Sequence, residues 1–257
     1  MRCRSPYVVA AALFCIGCGP SVTSDRSVTT TSEGQTSEGA AGTTAAHRGN
    51  VLVRFVNADL EGSGADVVSA DRKLFSKVAP KGVTGYLEIQ RGRVQFKLRE
   101  VNGSEDVAVI GNRDLIPGRH YTLVALPRRQ GGTRLALLAD WLGLIDPGQT
   151  RVRLINATAD VDDLDLFLAG TTTHVVHGID VGRVTTSSIG EMEPGIVEIR
   201  APNAQMPSTL AKINVESNRF YTFVVVGKSS ALDVIQIVDM TDGPNGSATN
   251  AAAQVGC

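Results

Sequence analysis

The chain has 257 residues, enough for one or two domains that each bury a core. With 42% hydrophobic, 20% charged and only 5% aromatic residues, alongside 27 glycines, its composition is that of a globular protein built from short strands and turns. A formal charge of −1 excludes the basic excess that phosphate binding requires, so nucleic acid is not an expected partner.

Arg2 and Arg4 give a basic start, Tyr7 to Gly17 form an apolar run, and a small residue, Gly17, precedes Cys18. This pattern predicts a signal peptide over residues 1–17, since the run is about half of the roughly 20 apolar residues a spanning helix needs. The stretch Cys15-Ile16-Gly17-Cys18 resembles a bacterial lipobox, with Cys15 standing where that motif usually has Leu. The resemblance implies cleavage before Cys18, lipidation of Cys18 and attachment to a membrane through that lipid. Gly19, in place of an Asp, implies the outer membrane or cell surface as the destination. A plain secretory signal cut a few residues later is the alternative.

Residues 18–50 are dominated by Ser, Thr, Gly, Ala and Glu, and predict a disordered tether that would reach roughly 30 Å. The cysteines are Cys3, Cys15, Cys18 and Cys257, so the body between the last two contains neither a disulfide framework nor a zinc site of paired cysteines.

Beyond the tether the chain repeats itself. Val53-Arg54-Phe55-Val56-Asn57-Ala58 returns 99 residues on as Val152-Arg153-Leu154-Ile155-Asn156-Ala157. His120-Tyr121-Thr122-Leu123 returns 100 residues on as Phe220-Tyr221-Thr222-Phe223, and Asp66-Val67 matches Asp165-Leu166. Landmarks at a nearly constant offset mean a duplicated domain, here residues 51–148 and 149–243, followed by a flexible tail over 244–257. Within each copy the alternation is that of strands: Val51, Val53 and Phe55 share one face, as do Val94, Phe96 and Leu98. Turn signals divide the runs, among them Pro117-Gly118, Gly131-Gly132 and Gly227-Lys228-Ser229-Ser230. The expected fold is all-β: two tandem immunoglobulin-like or fibronectin-like β-sandwich domains after the disordered tether. Tyr121 and Tyr221, each opening a late strand, are candidates for a structural tyrosine corner.

The residues carrying the repeat, with Gly118 and Asp165-Leu166-Phe167, resemble the bacterial extracytoplasmic domain of unknown function family forty-three ninety-seven, in two copies over about Val51 to Asp242. Leu60 and Ala159 stand where that family usually has Pro after Asn-Ala, which implies a different first loop. The resemblance implies a surface or periplasmic sandwich module and supplies no activity.

Other constellations are weak as chemistry. Gly227-Lys228-Ser229 lacks the first glycine of a phosphate loop, with Thr222 in its place, and joins two expected strands, so it reads as a turn. Asp160, Asp162 and Asp163 are the candidate calcium ligands, although an EF-hand loop starting at Asp160 would put Asp165 where glycine belongs and Thr171 where Glu belongs. A solvated acidic loop is the simpler account. His174 and His177 are three apart, which on a regular strand places them on opposite faces and argues against joint metal ligation. Arg54 and Arg153 are expected at a sandwich surface or edge. The function these observations favour is a non-catalytic, lipid-anchored envelope module without cofactor, which binds or displays through loops at a sandwich end to an unknown envelope or extracellular partner. A structural envelope spacer and a carbohydrate-processing or other hydrolase with an unrecognised site are the alternatives.

Overall fold

The computed structural model describes residues 50–181, 189–201, 209–240 and 254–255. The expected signal peptide, the expected lipidation site Cys18, the expected tether apart from Asn50, and the expected tail apart from residues 254–255 lie outside the described residues.

Every regular element among the described residues is a strand. The first repeat contains β1 (Asn50–Asn57), β2 (Ala65–Ser69), β3 (Arg72–Val78), β4 (Leu87–Gln90), β5 (Gly92–Glu100), β6 (Asp106–Leu115), β7 (His120–Pro127) and β8 (Thr133–Asp140). The second contains β9 (Thr150–Thr158), β10 (Leu164–Leu168), β11 (His174–Ile179), β12 (Ile189–Met192), β13 (Gly195–Arg200), β14 (Thr209–Val215), β15 (Arg219–Lys228) and β16 (Ala231–Met240). A two-residue strand, β17 (Gln254–Val255), pairs with β16.

Each repeat forms two sheets. In the first the orders are β4-β1-β7-β8 and β3-β2-β5-β6; in the second they are β12-β9-β15-β16-β17 and β11-β10-β13-β14. Strand for strand the second pair repeats the first, including a parallel pairing of β1 with β7 and of β9 with β15 amid otherwise antiparallel ladders. The β7–β8 hairpin turns through Arg128 to Gly132, a longer loop in which Gly131 and Gly132, with φ of 86° and 79°, supply the left-handed backbone the turn needs.

The pleat divides each central strand between two cores. On β1, Val51, Val53 and Phe55 point into the first repeat's own core with Phe96 and Leu123, while Val152, Leu154 and Phe223 do the same in the second. The alternate residues do not face water. Val56, Val124 and Leu126 of the first repeat pack against Ile155, Val224 and Ile235 of the second in a third, shared core. The sheets are therefore layered with β4-β1-β7-β8 and the β9-bearing sheet innermost, back to back, and the other two outermost. Each fully buried Val, Leu or Ile of this shared layer contributes on the order of 1.5–3 kcal/mol, so the layer is a substantial part of what holds the body together.

Candidate functional site

At one margin of the shared core the apolar packing gives way to charge. Arg54 and Arg153 occur at equivalent points of β1 and β9, on the face opposite Phe55 and Leu154, and are only 3% and 2% exposed. Each reaches into the other repeat. Arg54 donates from Nη1 and Nη2 to the two carboxylate oxygens of Asp239, both at 2.8 Å, and from Nε to Thr122 Oγ1 at 2.8 Å. Arg153 donates from Nη2 to Asp140 at 2.7 Å and to Thr222 Oγ1 at 3.0 Å. Asp140 also accepts the hydroxyls of Thr122 at 2.6 Å and Tyr86 at 2.8 Å. Burial alone would lower the pKa of Arg54, but Asp140, Tyr86 and Asp239 reverse this and raise it. Burial pushes Tyr86 up, and the neighbouring Asp140 charge pushes it further.

This corrects the expectation that the two arginines sit at a surface or edge. The face taken to be solvated is covered by the other repeat's sheet. The sequence carries the signal: Phe220-Tyr221-Thr222-Phe223-Val224-Val225-Val226 is nearly unbroken in apolar character, the mark of a strand buried on both faces. Around the shared core, Lys81 with Asp233 at 2.5 Å and Arg129 with Asp162 form further ion pairs between the repeats.

The other polar residues of the repeated motif also serve the scaffold. Asn57 Nδ2 donates to the Val78 carbonyl at 2.9 Å, and Asn156 Nδ2 to the Val161 and Ile179 carbonyls at 2.7 and 2.8 Å. Tyr121 Oη accepts the Ile116 amide at 3.1 Å, and Tyr221 Oη the Glu216 amide at 3.0 Å, five residues upstream in each case. Burial raises the pKa of Tyr221.

Because the inner sheets are back to back, loops of both repeats meet at one end. Ala58 and Leu60 after β1, Pro127 of the β7–β8 hairpin, Ala157 at the end of β9 and Ala159 after it, and Gly227 of the β15–β16 hairpin line one shallow, mostly apolar cleft. Gly227 is required there, since its φ is +105° and a Cβ would meet the Ala231 carbonyl oxygen at 2.2 Å. Of the candidate calcium ligands, Asp160 accepts the Ser229 amide and hydroxyl, each at 2.8 Å. Asp162 accepts Arg129 and the Val181 amide, and Asp163 takes a left-handed backbone with φ 55°. Asp160 and Asp162 are thus held by donors on different elements rather than drawn to a common point.

The histidine pair departs from the expectation of opposite faces. The β10–β11 ladder shifts register between Leu164 and Leu166 and again between Leu166 and Phe167. The strict alternation is lost at these bulges, and the His174 and His177 rings come to 4.4 Å between centroids beside Asp165. Alternation in sequence does not report a bulge, although Gly178 with φ 63° marks it in retrospect.

Residues 51–167 match the family model described as Domain of unknown function (DUF4397). The match takes in the whole first repeat and runs through β9 almost to the end of β10. No curated protein matches the chain. Among solved structures, one described as "Alpha-glucan binding by a streptococcal virulence factor" is 9% identical, covering 76% of this chain and 99% of that one at a TM-score of 0.23. Another, a putative cell adhesion protein from Bacteroides uniformis ATCC 8492, is 8% identical, covering 76% and 98% at a TM-score of 0.21. At those scores neither likeness bears on function.

Proposed function

We propose that the chain is a non-catalytic module of the bacterial cell envelope, held at the outer membrane or cell surface by lipid on Cys18, which binds an envelope or extracellular partner through its composite loop end. The observation that carries this reading is the convergence of loops from both repeats on one cleft, behind which the shared core and the crossed arginine–aspartate pairs fix the two sandwiches. Two domains joined by a small polar interface move relative to one another; an apolar interface locked by buried charge does not. Loops on so stiff a scaffold keep the fixed spacing that recognition requires. The polar residues of the repeated motif, Arg54, Asn57 and their counterparts, are engaged in holding the body together, and this favours binding or display over chemistry.

Two measurements test the two halves of this reading. Fractionation of cells should place the wild type in membranes, while Cys18→Ser leaves an unprocessed precursor or a released protein; identical fractionation of the two removes the anchor. A photo-crosslinking residue placed at Leu60, in the lining of the cleft, should give a discrete adduct in intact envelopes that is missing when the same residue is placed at Val109, which is 49% exposed on β6. Equal adducts from both positions, or none from either, remove the loop-end assignment.

A further inference from the structure

The two repeats solve one problem in the same way and then diverge. In each, the bulge between the second and third strands frees a backbone amide, and a nearly buried carboxylate captures it. Asp66 accepts the Lys77 amide at 2.7 Å, and Asp165 accepts the Gly178 amide at 2.7 Å. Lys77 and Gly178 both have positive φ, 54° and 63°, so the two bulges share their backbone form as well. The strand registers equate Lys73 with His174, since these stand across from Val68 and Phe167. Ser76 and His177, each one residue before the captured amide, correspond in the same way.

In the first repeat the Asp66 charge is met by the Lys73 ammonium. In the second, both substitutions put an imidazole there. His177 Nδ1 lies 2.9 Å from Asp165 Oδ1, and His174 Nδ1 lies 3.8 Å from the same atom. One ligand atom from each of the three residues can be chosen so that all lie within 4.8 Å of one another. Ligands at about 2.0–2.2 Å from a tetrahedral zinc ion lie roughly 3.3–3.6 Å apart, so the fit needs only rotation of the two rings. His177 is 73% exposed and His174 39%, so solvent reaches both rings, although His174 packs on Phe167 at 4.1 Å between centroids and His177 Nδ1 is within hydrogen-bond distance of Asp165, contacts that metal binding would exchange for ligation.

From this geometry we infer that Asp165, His174 and His177 form a divalent-metal site of the zinc class on the outer face of the second sandwich. Two imidazole nitrogens and one carboxylate oxygen suit zinc and its borderline neighbours and discriminate against calcium and magnesium, which take oxygen ligands. The bulge amide supplies the outer hydrogen bond that orients a ligating carboxylate. The cation across the ladder from Asp165 is engaged elsewhere: Arg200 stacks over Phe167 at 4.0 Å and donates to Glu198 at 2.6 Å. The ion would do for Asp165 what Lys73 does for Asp66, and would add an open coordination position that a lysine cannot offer. The inference is independent of the loop-end reading, because the site sits on a sheet face and not on the cleft.

The test is titration of the full chain, prepared without a histidine tag, with Zn²⁺ by calorimetry and with Co²⁺ by visible absorption. About one equivalent of Zn²⁺ should bind saturably, and Co²⁺ should give the bands of a nitrogen and oxygen site. His177→Ala and His174→Ala should each raise Kd by about tenfold or more, since even an outer hydrogen-bond partner of a ligand is worth about 10–100-fold in metal affinity. His174→Lys, which imports the first repeat's own solution, should abolish binding while keeping the metal-free melting temperature, so that loss of binding is separated from loss of fold. No saturable binding of either ion up to about 1 mM, or an unchanged Kd in both alanine variants, overturns the site.

Discussion

Arg54 and Arg153 occupy the same place in the repeated sequence, yet they are held differently. Arg54 grips Asp239 with two parallel bonds and is covered by the Tyr86 ring, 4.7 Å from its guanidinium carbon. Arg153 makes one short bond to Asp140, two to Thr222 Oγ1 at 3.0 and 3.2 Å and a longer one, 3.4 Å, to the Ala139 carbonyl, with Phe220 5.0 Å beneath it. The difference starts across the ladder. Ile189 stands opposite Arg153, whereas the residue that continues the β4 register past Leu87 toward Arg54 is Tyr86. Tyr86 gives its hydroxyl to Asp140, so Asp140 draws on two hydroxyls besides Arg153, with Arg54 also 4.0 Å away. Among the described residues, the side-chain bonds to Asp239 come from Arg54. Near-symmetric sequence has produced one pair with a single strong clasp and another with distributed support.

That contrast can be broken from either side. Arg54→Met should cost the most, about 3–5 kcal/mol in urea unfolding of the full chain, because it leaves the Asp239 carboxylate buried without its charge partner. Arg153→Met should cost less, about 2–3 kcal/mol, since Asp140 keeps Thr122, Tyr86 and the nearby Arg54. An equal or larger loss in Arg153→Met would show that the distributed support counts for little. Adding Asp239→Leu to Arg54→Met should recover more than half of the first loss, as a buried pair replaced by apolar residues of similar volume is often near neutral. If the double variant is no better than the single one, the arginine's contribution is packing against Tyr86 and Thr122 rather than charge.

The tyrosines give a smaller effect. Tyr121→Phe and Tyr221→Phe each leave an upstream amide without its acceptor, at a cost of about 1–3 kcal/mol, with Tyr221 the larger because it is 3% exposed against 8%. Hydrogen exchange should show the Ile116 or Glu216 amide losing protection in the matching variant. Neutral stability in both would place these hydroxyls outside the folding energetics.

What the sequence disclosed follows from what a period of two can report. Alternation in Val51, Val53 and Phe55 placed them in a core, and the 99-residue offset from Arg54 to Arg153 gave the duplication that the strand orders repeat. Alternation is blind to what covers the second face, so it puts the arginines at a sandwich surface or edge although the Val53–Ala58 and Phe220–Val226 runs already carry apolar residues on both faces. It also assumes an unbroken ladder, which sets His174 and His177 on opposite faces; the bulges between Leu164 and Phe167 go with a left-handed backbone at Gly178 and amide capture by Asp165, neither of which follows from hydropathy. The cleft at the loop end required the packing of one repeat on the other, which no local pattern encodes.

The smallest expected effect concerns acid. Burial pushes the Asp140 carboxyl up, but the Arg153 charge, then the Arg54 charge, and the bonds from Thr122 and Arg153 outweigh it and leave the pKa below the ordinary carboxylate value. With its pKa lower in the folded state, Asp140 binds fewer protons folded than unfolded in acid, so its contribution to stability is complete above an unfolded pKa of about 3.9 and is lost as pH falls through the folded value. Asp66 and Asp233, which are also shifted down, carry the same sign. Stability of the wild type should therefore owe nothing to Asp140 titration between pH 7 and about pH 5, and should decline below about pH 4. In Arg153→Met the charge that does most to hold the pKa down is gone, so the folded and unfolded values approach one another and the decline in acid becomes shallower. Melting curves of both proteins from pH 7 to about pH 2.5 read the difference in slope. Parallel curves would mean that Arg54 alone, 4.0 Å away, keeps Asp140 ionised, and the two arginines would then differ less in electrostatic role than their hydrogen bonds suggest.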